Sequence, residues 1–132
     1  MPIMVRYYVR AAIIYFILAL LAGLLMSVPG RLSISQLRPV YFHLLVVGWV
    51  TQLIMGVSYW MFPRYSKESP RGNETLGWAA FGLLNVGMLL RAIGEPLTGS
   101  VAAGWLLSIS ALMQLAAGWL FVIIIWPRVK ER

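Results

Sequence analysis

The sequence predicts an all-α integral membrane protein whose four transmembrane helices form an antiparallel up-down bundle. Three observations lead to this fold class. The chain is 61% hydrophobic and only 11% charged, whereas soluble domains carry about 25% charged residues. Four apolar runs each approach the roughly 20 residues that a helix needs to cross a bilayer. The basic residues are distributed unevenly between the two ends of these runs, which indicates a fixed orientation in the membrane.

Each apolar run is predicted to form one helix. The runs cover residues 11–28, 40–62, 76–93 and 101–126. Pro29 and Gly30 end the first helix, and the stretch "GEPLTGS" forms a tight turn between the last two. The first run is too long for the apolar core of a signal peptide, so we expect it to be retained. We therefore expect residues 1–132 to form a single four-helix transmembrane domain.

The basic residues predict the orientation of the helices. Eight lie on one side of the four-helix plan and three lie on or near the other. The larger group is Arg6, Arg10, Arg64, Lys67, Arg71, Arg128, Lys130 and Arg132, and the smaller group is Arg31, Arg38 and Arg91. The positive-inside rule places both termini and the 64–75 loop in the cytoplasm, as in a multi-pass protein of the inner (cytoplasmic) membrane. The net charge of +7 then reflects topology and affinity for anionic lipid, and no nucleic-acid partner is expected.

Polar side chains inside membrane helices are informative because they are costly there. Asn85 and Gln114 are predicted to form hydrogen bonds between helices. Arg91 can extend to the lipid headgroups or pair with Glu95, which follows four residues later. No Asp or Glu lies inside a predicted helix. A proton-coupled pump or carrier is therefore not expected.

His43, the only histidine, lies near the start of the second predicted helix. On a regular α-helix the residues that share its face are Val47, Val50, Ile54 and Ser58. An imidazole above such an apolar wall, with room beside it at Gly48, suits an axial haem ligand. The alternative is a histidine that forms a hydrogen bond with another helix or with interfacial water. One histidine without any cysteine cannot complete a zinc or copper site within one chain, nor attach haem covalently.

The order of residues after His43 resembles the second helix of catalytic subunit I in the haem-copper oxidase superfamily, on its nitric oxide reductase-like side. The matching pattern is H-L-x-x-x-G-W-x-x-x-x-I-x-G-x-x-Y-x-x-x-P-R, which runs from His43 to Arg64. In that family this helix supplies a histidine to the low-spin haem near the outer face, which implies the same role for His43. The family subunit resembles a threefold repeat of a four-helix unit, and this chain is similar to its N-terminal third.

The resemblance implies a membrane protein that binds haem b, with His43 as the iron ligand and Val47 and Gly48 beside it. Electron transfer or binding of a diatomic gas by a homo-oligomer would follow, with a redox partner as donor or acceptor. The family's reducing centre needs further histidines from later repeats. Reduction of oxygen or nitric oxide by this chain alone is therefore not expected.

The second ligand of such a haem has several candidate sources. A dimer could share one haem between two copies of His43, because two-fold interfaces bring identical residues together. Met26 is an alternative within the chain, and a trimer would instead gather three His43 side chains around a metal on its axis. Arg31, Arg38 and Arg91 are either cations that meet haem propionates or ordinary interfacial charges.

Two other functions compete with haem binding. The chain could be a non-catalytic structural subunit of a larger respiratory membrane complex, in which His43 is vestigial or is donated to a partner's haem. It could also be a small dual-topology multidrug carrier, which has a similar length and four helices. The carrier is set aside because its first helix would need an acidic residue, and because the charge bias is too strong for dual orientation.

Overall fold

The computed structural model describes residues 1–30, 34–97 and 99–129, and within these ranges every secondary-structure element is a helix, with no strand. Four helices are long and apolar enough to cross a membrane. They carry many exposed leucine, isoleucine and valine side chains, as expected of helices that contact lipid or other apolar surfaces. The all-helical fold and the four membrane-compatible helices of the prediction are confirmed.

The first span is α1, Ile3–Ser27. The second span consists of α2 (Ile34–His43), a π-helical segment (Leu44–Thr51) and α3 (Gln52–Met61), which follow one another without interruption. The third span is α4, Glu74–Gly94. The fourth is α5, Val101–Ile125, which continues into a 3₁₀ turn over Trp126–Arg128. α4 and α5 pack most extensively against each other, while α1 packs along the second span.

α1 begins eight residues before the predicted start at residue 11. Apolarity alone does not mark this boundary, because Arg6 and Arg10 are exposed and interrupt the hydrophobic run. Val5 and Tyr8 on the opposite face are buried in the same core cluster as Met55 of α3. Tertiary packing therefore extends the helix through charged positions that a hydropathy pattern excludes.

α4 begins at Glu74, two residues before the predicted start at residue 76, because Asn73 caps it. The Asn73 side-chain oxygen accepts hydrogen bonds from the backbone N–H groups of Thr75, at 2.9 Å, and Leu76, at 3.4 Å. These donors have no partner within the helix, so the cap stabilises its first turn.

The core consists of two clusters along the bundle. One lies near the amino end of α1 and contains Met4, Val5, Tyr8, Met55, Tyr59, Leu84, Ala117 and Ile124. The other lies towards the carboxyl half of α1 and contains Tyr15, Ala19, Ala22, Val40, Leu44 and Met88. Helix association in lipid depends on close packing more than on the hydrophobic effect. The alanines of the second cluster serve that purpose, because their small side chains let neighbouring backbones approach.

The π-helical segment departs from the regular helix assumed for the second span. In a π-helix the hydrogen bonds run from residue i to i+5, so side chains no longer repeat every 3.6 residues. Gly48, in this segment, lies against Tyr15 of α1, and a Cβ added there would be 2.7 Å from the ring carbon Cγ of Tyr15. The backbone of the second span thus approaches α1 more closely than any larger residue would allow.

Candidate functional site around His43

His43 is the last residue of α2, and its imidazole contacts another part of the chain. Nδ1 lies 2.7 Å from Oε1 of Glu95 and 2.9 Å from the carbonyl oxygen of Pro39. A carbonyl and a carboxylate only accept hydrogen bonds, so Nδ1 must carry the proton that it shares with them. A neutral imidazole protonated at Nδ1 presents a lone pair on Nε2. No described residue occupies that nitrogen with a hydrogen bond.

Glu95 directly follows α4 and is buried, with 4% of its surface exposed. Its Oε1 atom also accepts from Nη1 of Arg91, across 3.4 Å. The other carboxylate oxygen, Oε2, is buried and has no hydrogen-bond partner among the residues that the structure describes. Glu95 is therefore a buried acid whose contacts are concentrated on one oxygen, between a guanidinium group and an imidazole.

Arg91 connects this acid to α5. Its Nε atom donates to the Ser110 hydroxyl across 3.3 Å. That hydroxyl donates to the carbonyl oxygen of Gly87 across 2.7 Å and also accepts from Gln114, across 3.2 Å. Because Ser110 is fully buried, leaving one of these polar groups without a partner would cost free energy. A continuous polar chain thus extends from His43 through Glu95 and Arg91 into the α4–α5 interface.

The hydrogen bonds predicted for the polar residues inside the helices are confirmed. Nε2 of Gln52, in α3, donates to Asn85 of α4 across 3.4 Å. Gln114 of α5 reaches the sulfur of Met88 in α4, at 3.8 Å. The predicted local partnership of Arg91 with Glu95 is also confirmed.

The apolar face that regular α-helical spacing predicts next to His43 is not formed as predicted. The 100° spacing that placed Val47 and Val50 on the His43 face does not hold across Leu44–Thr51, because that segment is π-helical. Val47 packs against both core clusters of this chain. The room expected beside Gly48 is taken by the Tyr15 ring. Haem contacts of Val47 and Gly48 remain predictions.

The predicted cations and the alternative ligand lie at separate positions. Arg38 is exposed in α2, and Met26 is half-buried in the last turn of α1. The guanidinium of Arg91 already contacts Glu95 and Ser110. Arg31 lies outside the described residues. Their roles towards a propionate or as an axial ligand remain predictions.

His43 lies at a partly exposed surface of the described structure. The His43 side chain is 32% exposed, so this residue lies at the surface of the bundle. The neighbouring Phe42 and Val46 are each 52% exposed and supply apolar surface. A cavity of about 430 Å³ beside Tyr65 and an apolar groove of about 620 Å³ beside Trp119 are not lined by His43.

Glu95 is the functional candidate that sequence reasoning missed. The sequence predicts Glu95 only as a partner of Arg91, because it lies in the predicted turn "GEPLTGS". One sequence feature could have identified it: Glu95 is a single acidic residue directly after an apolar helix, where a charge near the membrane is costly. Its contact with His43, 52 positions away in the chain, follows only from packing of the α4–α5 turn against α2.

Within residues 1–30, 34–97 and 99–129, no group of three or more histidine, cysteine, aspartate or glutamate residues is placed to hold a metal ion. No protein-family model, curated protein or solved structure matches the chain.

Proposed function

We propose that this chain is a membrane haem b protein in which His43 is an axial ligand, and that it transfers electrons or binds a diatomic gas as a homo-oligomer. The observation that carries the proposal is the state of the imidazole. Nδ1 is bound to Glu95 and Pro39, while among the described residues none forms a hydrogen bond with Nε2, and the side chain is 32% exposed. A histidine ligand needs this arrangement, because its second nitrogen normally donates to a carboxylate or carbonyl when the first binds metal.

The proposed topology is an antiparallel bundle with both termini in the cytoplasm of the inner membrane. Short connections favour antiparallel neighbours, and only residues 95–100 separate α4 from α5. The excess of basic residues at the opposite end of the bundle supports a cytoplasmic location for that end. His43 and Glu95 would then lie in the outer part of the bilayer.

A homo-oligomer would complete the site. Each chain offers one imidazole on a partly exposed surface, so a two-fold dimer could present two His43 side chains to one haem. Bound haem would supply one-electron redox chemistry, or an open coordination position for a gas. The chain itself would supply the nitrogen donor, the apolar surface near Phe42 and Val46, and the orientation of the ring.

The test is a reduced-minus-oxidised visible spectrum of the detergent-purified protein, with a pyridine haemochrome assay of the haem-to-chain ratio. The variants are His43→Ala and Met26→Leu, with Ser108→Ala as a control at an exposed position on α5. We expect His43→Ala to lose the haem while Ser108→Ala retains it. Loss in Met26→Leu as well would identify the second ligand within the chain. Full haem retention by His43→Ala would refute the proposal.

The second candidate is a non-catalytic subunit of a larger respiratory membrane complex. The hydrogen bond of His43 to Glu95 favours it, because joining two helices is what a purely structural histidine does. That candidate predicts that the wild-type protein, produced in cells supplied with haem precursor, contains no haem. It also predicts that His43→Ala reduces stability without any spectral change.

A further inference from the structure

We propose that Glu95 is the positioning residue of the site: it holds the imidazole of His43 with the proton on Nδ1, and its charge favours the oxidised state of a metal bound at Nε2. The part about the metal rests on the proposed function. The part about the imidazole does not, because it concerns groups of this chain alone.

The first step of the argument is the geometry of the contact. The 2.7 Å separation between Nδ1 and Oε1 is that of a charge-assisted hydrogen bond, which is shorter and stronger than a neutral one. The Pro39 carbonyl, at 2.9 Å, lies four residues before His43 and is part of the same helix. Pro39 can therefore bond the ring but cannot connect it to the rest of the bundle. Glu95 is the group that attaches the imidazole to the α4 side.

The second step is the support of Glu95 itself. Its side chain is only 5% exposed, so the carboxylate depends on protein partners in place of water. Arg91 supplies the compensating charge, and Ser110 holds Arg91 from α5. Because Arg91 is itself bonded to α5, the Glu95 carboxylate that it holds loses little further freedom when it binds His43, and so can position the imidazole precisely.

The third step concerns the effect of the carboxylate on a ligand. A carboxylate that accepts from the distal N–H of an imidazole raises the basicity of the ligating nitrogen. A more basic ligand and a nearby negative charge both stabilise the higher oxidation state of a metal. Arg91 reduces this charge but, at 3.4 Å, is farther from Oε1 than Nδ1 is. We therefore expect removal of the Glu95 charge to favour the reduced metal.

The first experiment uses haem-free protein. Because His43 is the only histidine, selective ¹⁵N-histidine labelling gives the imidazole signals of this one residue. We expect wild type to be protonated at Nδ1, and Glu95→Ala to decrease the ratio of the Nδ1–H to the Nε2–H tautomer about tenfold, consistent with loss of a hydrogen bond to a charged group. An unchanged ratio would show that Pro39 alone determines the tautomer and would overturn the positioning role. Circular dichroism and gel filtration check that each variant is folded.

The second experiment titrates the reduction potential of haem-loaded protein. Glu95→Gln retains an oxygen that can accept from Nδ1–H but removes the charge. We expect it to keep the wild-type tautomer while the reduced-to-oxidised ratio at a fixed ambient potential rises about tenfold, which is about 59 mV for one electron. Glu74→Gln, at an exposed acid in the first turn of α4, is the control and should change neither quantity.

The outcomes separate the two proposals. A wild-type potential in Glu95→Gln would overturn the charge effect. If Glu95→Ala does not fold, Glu95→Gln still tests the positioning role. An Nε2–H tautomer of His43 in the glutamine variant or in wild type would contradict the hydrogen bond from Nδ1. Wild-type protein that shows the expected tautomers but binds no haem would overturn the proposed function and leave the positioning of His43 by Glu95 intact.

Discussion

Arg128 donates from Nη2 to the carbonyl oxygen of Phe62 across 2.8 Å, although 66 positions separate the two residues in the chain. Its Nε atom donates to the carbonyl oxygen of Pro63 across 2.9 Å, and the guanidinium lies 5.3 Å from the centre of the Tyr59 ring. Only 2% of Arg128 is exposed. A residue that was counted in the sequence as one of eight topology charges is therefore a buried cation at the carboxyl end of the second span, where carbonyl groups lack helical partners.

Arg128→Ala is expected to lower the free energy of unfolding by about 1.5–3 kcal/mol, the usual value of a hydrogen bond to a charged group. Arg128→Lys should recover only part of this loss, because one ammonium group cannot match the planar geometry of two guanidinium donors. The measurement is unfolding by SDS in mixed micelles. Arg64→Ala, at an exposed cation, serves as the control and should change stability by less than about 0.5 kcal/mol. Equal effects of the two alanine variants would contradict the role given to Arg128.

Gly48→Ala is expected to destabilise the fold by about 1–3 kcal/mol through overpacking. The added Cβ would lie 2.7 Å from Cγ and 2.8 Å from Cβ of Tyr15, and neither atom is the free end of a flexible chain. Gly118→Ala is the matched control, because a Cβ there meets nothing within 4 Å. The same unfolding assay compares them. A double variant, Gly48→Ala with Tyr15→Gly, removes both clashing atoms of Tyr15 and should be less unstable than the sum of the single effects, and strict additivity would contradict the clash.

Ser110→Ala is expected to cost about 0.6–1.7 kcal/mol, the range measured for hydrogen bonds between membrane helices. The change removes the bond to Gly87 and leaves Arg91 and Gln114 without their shared acceptor. Ser108→Ala is the control on the same helix, since that exposed hydroxyl bonds only to the Gly104 carbonyl within α5. If the two serine variants have the same free energy of unfolding, the hydrogen bonds of Ser110 do not stabilise the α4–α5 interface.

Asn73→Ala should lower the free energy of unfolding by about 1 kcal/mol, because the first turn of α4 would lose its cap. Asn73→Asp preserves the side-chain acceptor and should remain close to wild type. Hydrogen exchange at the amides of Thr75 and Leu76 provides a local readout. Faster exchange at these amides in the alanine variant alone is the expected result. Unchanged protection in all three proteins would show that the cap contributes little.

The second span shows which features could be predicted from the sequence and which could not. Hydropathy correctly predicted a membrane-compatible helix around residues 40–62, and helical spacing correctly predicted that Arg91 meets Glu95. Which side chains share a face with His43 was less predictable, because the π-helical segment changes the angle between successive side chains. Such a segment depends on how the backbone packs against α1, as at Gly48 and Tyr15, and no local periodicity reports it.

The sequence by itself determined the four membrane-compatible helices, since their length and apolarity are properties of contiguous residues. It also determined that a single imidazole is present and that it lies near one end of the second span. Only the tertiary structure decided that Glu95 occupies Nδ1 of that imidazole, and that Arg128 covers the carboxyl end of α3. Both contacts join residues more than 50 positions apart. Buried polar groups take whichever partners the packing of helices brings within reach, and local sequence patterns do not contain that information.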